Sequence, residues 1–189
     1  GPAYLGKPFK LLQKSEMMVG KRWHAGYLLE SDAGEPLFSH GIRAFDFMSG
    51  FLVFQPAKGI VSKVVIGDYS ARFGQGLGVW TGFSMGLSSE NTSLRKRPSG
   101  LTRYHSSGEA SFLRGVGVEL NKENHQLSLF GSYRPSDASL LIADTIGMAM
   151  VSTMRTTGLH RTRSEIDGRG AIDETLWGGY YQYSGQSFR

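Results

Sequence analysis

Apolar and polar residues alternate along several short segments of the chain, a period of two that predicts β-strands. In the segment 21–30, one face carries Trp23, Ala25, Tyr27 and Leu29. In the segment 124–134, Leu127, Leu129 and Tyr133 lie opposite Gln126, Ser128 and Ser132. The segment 115–120 and the aromatic segment 176–185 follow the same pattern. The pattern therefore predicts an all-β chain.

The segments between these strands predict both short turns and long loops. QPAKG at 55–59 and NKEN at 121–124 predict tight turns, and the polar stretches 31–44, 89–111 and 135–173 predict long loops. Only 163–174 has helical character, with Ser164 as the expected N-cap and glycines interrupting the helix. With no repeat and no linker, residues 1–189 are expected to form one antiparallel meander. Short turns that alternate with long loops are typical of outer-membrane barrels.

The glycine-rich stretch IGDYSARFGQGLGVW at 66–80 has the spacing of a nucleotide-binding loop. Such a loop must open a helix whose N-terminal amides meet the phosphate, and the following VWTGFSMG has no helical pattern. Gly74, Gly76 and Gly78 instead share one face of a continuing alternation. We therefore expect a strand face without side chains, which a neighbouring backbone or an inserted loop approaches closely.

The composition agrees with a β-protein and narrows its chemistry. The chain has 26 Gly and 12% aromatic residues, which favour strands and turns. It has no Cys, which excludes disulfides, thiolate metal sites and Cys nucleophiles. No apolar run approaches the roughly 20 residues of a membrane-spanning helix. A net charge of +5 permits attraction to nucleic acid, lipopolysaccharide or other acidic polymers.

Two sets of residues are candidates for binding or for interior polarity. The densest basic cluster, with one aromatic beside it, consists of Arg95, Lys96, Arg97, Arg103 and Tyr104. These residue types hold an anionic backbone and stack a base, although a solvated loop needs the same residues. A second set, Asp68, Ser70 and Arg72, shares one strand face. In a barrel these residues are expected to form an interior polar network with opposite charges on adjacent strands.

No residue pattern indicates catalysis or a metal site. The five-residue spacing of His160 and Glu165 matches no ligand motif, so a loop histidine bonded to its neighbours is expected. Ser106, Ser107 and Glu109 beside His105 suggest a hydrolase, but the G-x-S-x-G elbow is absent and a turn explains them. We therefore expect a non-enzymatic protein without cofactor or metal.

The aromatic residues are consistent with contact to a membrane interface. They lie near strand ends or along one strand face: Trp23, Tyr27, Trp80, Phe83, Trp177, Tyr181 and Tyr183. Interfacial girdles use Trp and Tyr because their rings are apolar and their N–H or O–H groups accept hydration. A soluble β-sandwich core would also use such residues, though with fewer glycines and shorter loops.

Several blocks together resemble a known family. GDYSARFGQGLGVW, YHSSGEASFLRG and TGLHRTRSEI are the most specific of them, and the resemblance extends from about Tyr4 to Ser184. They resemble the C-terminal region of Bacteroidetes outer-membrane proteins known as helix-hairpin-helix domain-containing or competence-type DNA-binding-like. The resemblance implies a β-barrel region in the outer membrane. This sequence shows no helix-hairpin-helix segment, so the family alone carries the link to DNA.

The sequence thus predicts an antiparallel outer-membrane β-barrel of about eight strands, or a fragment of a larger barrel, with at most one short helix. Its expected partners are outer-membrane lipid, nucleic acid or another anionic polymer, and further segments or subunits that complete the barrel. The alternative is a soluble β-rich binding module that uses the basic loop 94–104 to bind an anionic partner.

Overall fold

The computed structural model describes residues 3–39, 44–76, 79, 81, 98–143 and 148–185. Antiparallel strands dominate these residues. The strands are β1 (Leu11–Val19), β2 (Trp23–Ser31), β3 (Phe47–Phe54), β4 (Val61–Arg72), β5 (Gly100–Arg103), β6 (Leu113–Lys122), β7 (His125–Ser136), β8 (Ala138–Ala143), β9 (Met148–Met154) and β10 (Ile172–Tyr183). The short helix α1 (Arg163–Asp167) precedes β10. This part of the chain contains no helix of the length and apolarity needed to cross a membrane.

Eight of the strands form one antiparallel sheet. Its order is β1-β2-β3-β4-β6-β7-β10, and β5 pairs with the end of β4. Strands β8 and β9 form a separate two-stranded sheet. The antiparallel meander that the alternation predicts is therefore confirmed. Within the described residues, β1 and β10 are the two outer strands of the path.

Short turns lie at one end of the main sheet. β1 passes to β2 through Gly20, which has a φ of 59°, and β6 passes to β7 through Glu123, which has a φ of 54°. The turn between β3 and β4 occupies 55–60, so the tight turns predicted at 55–59 and 121–124 are confirmed. The longer connections meet at the opposite end, which we call the loop end.

Two of the predicted long loops contain regular structure. The stretch 89–111 includes β5, and the region 135–173 contains β8, β9 and α1. Alternation does not predict β8 and β9, because ASLLIA and MAMVSTM are nearly continuous in apolar character. Helix α1 is present as predicted, but its N-cap is Thr162 and not Ser164. The Thr162 hydroxyl accepts a hydrogen bond from the Glu165 N–H, and the Glu165 carboxylate accepts one from the Thr162 N–H. The two bonds form a capping box.

The glycine-rich stretch also differs from its prediction. β4 ends at Arg72, and Gly74 and Gly76 have φ values of 55° and 79° in a turn rather than lying on a strand face. A neighbouring backbone closely approaches Gly67, at the start of this stretch, and a side chain closely approaches Gly117 on β6. A Cβ there would lie 2.7 Å from Cδ1 of Leu101, because β5 packs over that position. Gly78 lies outside the described residues.

The two faces of the main sheet differ in an unusual way. One face, here called the apolar face, carries large apolar side chains that are exposed; its exposed members are Met17, Val19, Trp23, Tyr27, Met48, Ile66, Val116, Leu129, Trp177 and Tyr181. The other, the polar face, buries a core around Phe51, Val65, Leu101 and Phe130. It also buries polar side chains, among them Glu30, Ser49, Glu119, Ser128, Ser132 and Arg134.

Candidate binding pocket at the loop end

A pocket of about 650 Å³ opens at the loop end of the sheet. Its walls come from the first residues of β3, β6 and β10, the last residues of β7 and β9, and the connections beside them. Phe47, Met48 and Phe112 supply part of its apolar lining. The charged lining consists of Asp46, Glu109, Arg114, Arg134, Asp137, Arg155, His160, Arg169 and Glu174. Such a mixture of apolar and charged groups is typical of a small-molecule site.

His160 is the centre of a buried ionic cluster in this pocket. Its Nδ1 lies 2.6 Å from Oδ2 of Asp46, and its Nε2 lies 3.0 Å from Oδ2 of Asp137. The imidazole is only 3% exposed. Burial by itself would lower the pKa of His160, but the hydrogen bonds to Asp137 and Asp46 outweigh it and raise the pKa to about 9. His160 is therefore an imidazolium at neutral pH that donates to both carboxylates.

Two glutamates beside this cluster, Glu35 and Glu109, have pKa values above the usual value of a glutamate. Glu35 accepts hydrogen bonds from the His160 and Asp32 backbone N–H groups, at 2.9 and 2.6 Å, yet burial still raises its pKa. Burial, followed by repulsion from Asp46, raises the pKa of Glu109 to about 9. Glu109 is consequently protonated at neutral pH and adds no negative charge to the pocket.

Glu35, Asp46 and His160 are the described residues that could hold a metal ion. Their ligand atoms lie within 4.8 Å of one another, and all three are buried. Both ring nitrogens of His160 already face carboxylates, however, and Nε of Arg169 lies 3.5 Å from Oδ1 of Asp46. A cation would have to displace the ring proton beside this guanidinium. The arrangement fits an imidazolium network better than a metal centre.

Four arginines give the pocket its positive character, and they differ in how they are compensated. Arg114 pairs with Asp68, and Arg169 pairs with Asp46. Arg134 donates to the carbonyls of Glu109 and Ala110, and Glu174 lies 3.4 Å away. The polar partners of Arg155 are uncharged and come from two other segments; they are Oγ of Ser139 and the carbonyl of Ser164, each at 2.9 Å.

The predicted interior residues Asp68, Ser70 and Arg72 lie at the end of β4. Asp68 is 1% exposed and lies opposite Arg114 in the register, where Nε and Nη2 of Arg114 reach its two carboxylate oxygens at 2.6 and 2.8 Å. Ser70 is buried. Arg72 is half-buried, and its Nε donates to the carbonyl of Thr81 at 2.8 Å. The partner of Asp68 is therefore a charge on an adjacent strand.

The predicted basic cluster is only partly described. Arg95, Lys96 and Arg97 lie outside the described residues. Arg103 lies 3.4 Å from a carboxylate oxygen of Glu16 and over the Phe51 ring. Tyr104 is 8% exposed, stacks on Phe112 and donates to the Gly108 carbonyl at 2.6 Å. The Tyr104 ring thus packs in the core, and anion or nucleic-acid binding by this cluster stays a prediction.

The residues considered for hydrolysis do not form a catalytic arrangement. Nδ1 of His105 pairs with Glu16 on β1, and its Nε2 lies 3.0 Å from the carbonyl of Tyr27. Glu109, in contrast, lines the pocket. His160 and Glu165 are likewise separate, because Glu165 caps α1 and pairs with Arg161.

The meeting of Glu35, Asp46, Asp137 and Arg169 at His160 was not predicted from the sequence. These residues are distant along the chain, and the order of the strands alone brings them together. The available signal was weak: Asp46 directly precedes an apolar strand, and Asp137 separates two strand segments. An acidic residue at such a junction needs a polar partner when it becomes buried.

Comparisons with known proteins identify no relative of this chain. No protein-family model matches it, and no curated protein or solved structure matches it significantly.

Proposed function

We propose that this chain is a non-enzymatic β-barrel component of the outer membrane, with the apolar face of its main sheet against lipid. The observation that carries the proposal is the inverted polarity of the sheet. A soluble sheet buries its apolar face and hydrates its polar face, whereas this sheet exposes large apolar side chains on one face and, beside an apolar core, buries serine, glutamate and arginine on the other. Transmembrane barrels have this arrangement because lipid surrounds them and their interior is polar.

The strand register supports the proposal, because apolar residues continue across the whole sheet. One row of directly paired residues runs from β1 to β10: Met17, Ala25, Leu52, Ile66, Val116, Gly131 and Trp177. The next row is Val19, Trp23, Phe54, Val64, Val118, Leu129 and Gly179. Neither row contains a charged residue. An exposed apolar surface of this continuity is rare on a soluble monomer.

Strand lengths and aromatic positions also favour a membrane. The seven strands of the main path have 8 to 12 residues, close to the roughly 9–11 that a tilted transmembrane strand needs. Trp23 stacks on Phe54 near the short turns, and Tyr181 lies close to His125 at the same end. In barrels, aromatic residues near the ends of the strands form the girdle at the membrane interface.

The outer strands of the sheet imply further partners. β1 and β10 end the described path, and each leaves one row of backbone N–H and C=O groups without a strand partner in the described residues. Such groups cannot face lipid unpaired, so we propose that additional strands, from further chain segments or subunits, complete the barrel. The link to nucleic acid remains a prediction that rests on the family resemblance.

Single-cysteine labelling tests the lipid contact, and the absence of natural Cys makes it specific. Ile66→Cys and Val116→Cys place a thiol on the apolar face, at side chains that are 46% and 52% exposed. In lipid vesicles, we expect both thiols to resist a water-soluble maleimide, because hydrocarbon excludes the reagent. After denaturation both should react fully.

The control is Lys58→Cys, which lies exposed in the turn between β3 and β4. Lys58→Cys should react in vesicles as fast as it does in the unfolded chain. Equal labelling of Ile66→Cys and Lys58→Cys in folded protein with vesicles present would contradict lipid contact. That result would favour the soluble binding module.

A further inference from the structure

The loop-end pocket contains more positive charge than its own carboxylates neutralise. Four arginines and the His160 imidazolium line it, and the carboxylates that face them are Asp46, Asp137 and Glu174 of the lining, together with Asp68, which pairs with Arg114. The fourth acid of the lining, Glu109, is half-buried beside Gly158, and its pKa of about 9 keeps it protonated at neutral pH. An uncompensated cation in a partly dry pocket attracts an anion more strongly than the same cation in open solvent.

Arg155 is the clearest source of this surplus. No carboxylate of the described residues lies within ion-pair distance of it, and its partners are Oγ of Ser139 and the Ser164 carbonyl. These bonds use Nε and Nη1, so Nη2 keeps its donors. The guanidinium also packs against Gly168, where a Cβ would lie 3.2 Å from Cζ of Arg155. Its position is thus fixed from two sides before any ligand arrives.

Arg134 also lines the pocket and adds to its positive surface. Its guanidinium is held by the Glu109 and Ala110 carbonyls and lies over the Phe112 ring at 5.1 Å. Glu174 compensates it only weakly, at 3.4 Å and with a partly exposed carboxylate. Held guanidinium groups bind phosphate and carboxylate well, because little side-chain entropy is lost when the anion binds.

From this geometry we propose that the loop-end pocket binds a small organic anion bearing a phosphate or carboxylate group, with Arg155 as its principal contact. A volume of about 650 Å³ accommodates a sugar-sized or somewhat larger body. The apolar lining of Phe47, Met48 and Phe112 would contact the uncharged part of the ligand. The inference goes beyond the proposed function, because the pocket lies at the loop end and does not depend on lipid contact.

Isothermal titration of the full chain in a non-ionic detergent at low salt tests this proposal. The probes are glucose 6-phosphate, gluconate and uncharged glucose. Glucose 6-phosphate or gluconate should bind with an affinity that weakens as salt is added, and glucose should produce no binding heat. The stronger of the two anions identifies the preferred group, phosphate or carboxylate.

Two variants locate the binding at Arg155. Arg155→Gln should lower the affinity for the anion by about tenfold or more. Arg155→Lys should lower the affinity less, because the positive charge remains. Arg163→Gln is the matched control, since Arg163 is exposed on α1 and does not line the pocket. Circular dichroism checks that each variant keeps its β-spectrum. If Arg155→Gln does not fold, the affinity of Arg155→Lys is compared with that of the parent and of Arg163→Gln.

Three results would overturn the proposal. They are the absence of binding heat for both anions, equal binding of glucose and glucose 6-phosphate, and equal losses in Arg155→Gln and Arg163→Gln. None of these results bears on the cysteine labelling of the apolar face. Failure of the pocket proposal is therefore distinguishable from failure of the membrane proposal.

Discussion

Asp68 on β4 and Arg114 on β6 join the two central strands at the loop end. The carboxylate is 1% exposed, whereas the Arg114 side chain is 40% exposed and also donates to the Met48 carbonyl on β3. Oδ2 of Asp68 additionally accepts from the Gly50 N–H at 3.3 Å. One carboxylate thus holds three strands in position. Because Asp68 is desolvated, it stabilises the fold only while these donors remain in place.

We expect Asp68→Asn to destabilise the protein by about 2–3 kcal/mol. The amide keeps the shape of the carboxylate but leaves the Arg114 guanidinium without a counter-charge. Urea unfolding in detergent, followed by tryptophan fluorescence, measures the change. Asp167→Asn is the matched control, because Asp167 is exposed on α1, and it should change stability by less than about 0.5 kcal/mol. Equal effects of the two variants would show that the Asp68 pair contributes nothing.

At the scale of single elements, β4 depends on Gly67. Gly67 has a φ of 91°, and a Cβ there would lie 2.3 Å from the carbonyl oxygen of Gly50 on β3. Both features exclude an L side chain, the first through backbone strain and the second through contact with a neighbouring backbone. Gly67 lies directly before Asp68, so the same bend that needs glycine also places the buried carboxylate.

Gly67→Ala should therefore cost about 2–4 kcal/mol in unfolding free energy, through strain and displacement of β3. Gly131→Ala is an instructive control on β7, because nothing lies within 4 Å of a Cβ at that position. Alanine there should be neutral or slightly stabilising, since it has less backbone entropy to lose than glycine. A comparison of heat-induced unfolding for both variants measures the difference. Similar midpoints would contradict the role given to Gly67.

The elements show clearly what the sequence could predict. Alternation predicted β2, β7 and β10, because each has one apolar and one polar face, and turn residues predicted the β6–β7 hairpin. β8 and β9 were missed because their apolar residues do not alternate. The alternation also could not tell which face is exposed: Leu129 is 44% exposed and Ser128 fully buried, and only the assembled sheet reveals this reversal.

At the scale of the whole molecule, the candidate pocket depends on the topology. Glu35, Asp46, Glu109, Asp137 and His160 come from four different connections, and the sheet order brings them together. No local pattern predicts such a meeting, because each residue by itself resembles an ordinary loop residue. For His160, the sequence predicts partners that are close by along the chain. Its actual side-chain partners are 114 and 23 residues away.

The cluster that joins these connections makes the stability of the fold depend on pH. The pKa of His160 rises from its usual value of 6.5 to about 9, so its contribution is complete below pH 6.5 and is lost as pH rises through 9. Glu109, whose pKa rises from 4.5 to about 9, acts in the same direction, because its ionised form is penalised in the folded state. The pKa of Asp137 is lowered, so its contribution to stability is present at neutral pH and is lost only when acid protonates the carboxylate.

Between about pH 6.5 and 9, the unfolding free energy should therefore fall steadily, since both raised groups bind more protons in the folded than in the unfolded state. The charges that face them, Asp46, Asp137, Glu35 and Arg169, do not reverse this direction.

Glu109→Gln separates the two groups, because an amide cannot ionise. Its thermal midpoint should exceed that of the parent at pH 8.5, match it near pH 4, and fall less steeply in between. The remaining slope belongs to His160, and His160→Gln should remove it while lowering the midpoint at pH 6. A parent midpoint that does not change from pH 6.5 to 9 would show that neither group is coupled to folding, and that the cluster has formed without an imidazolium.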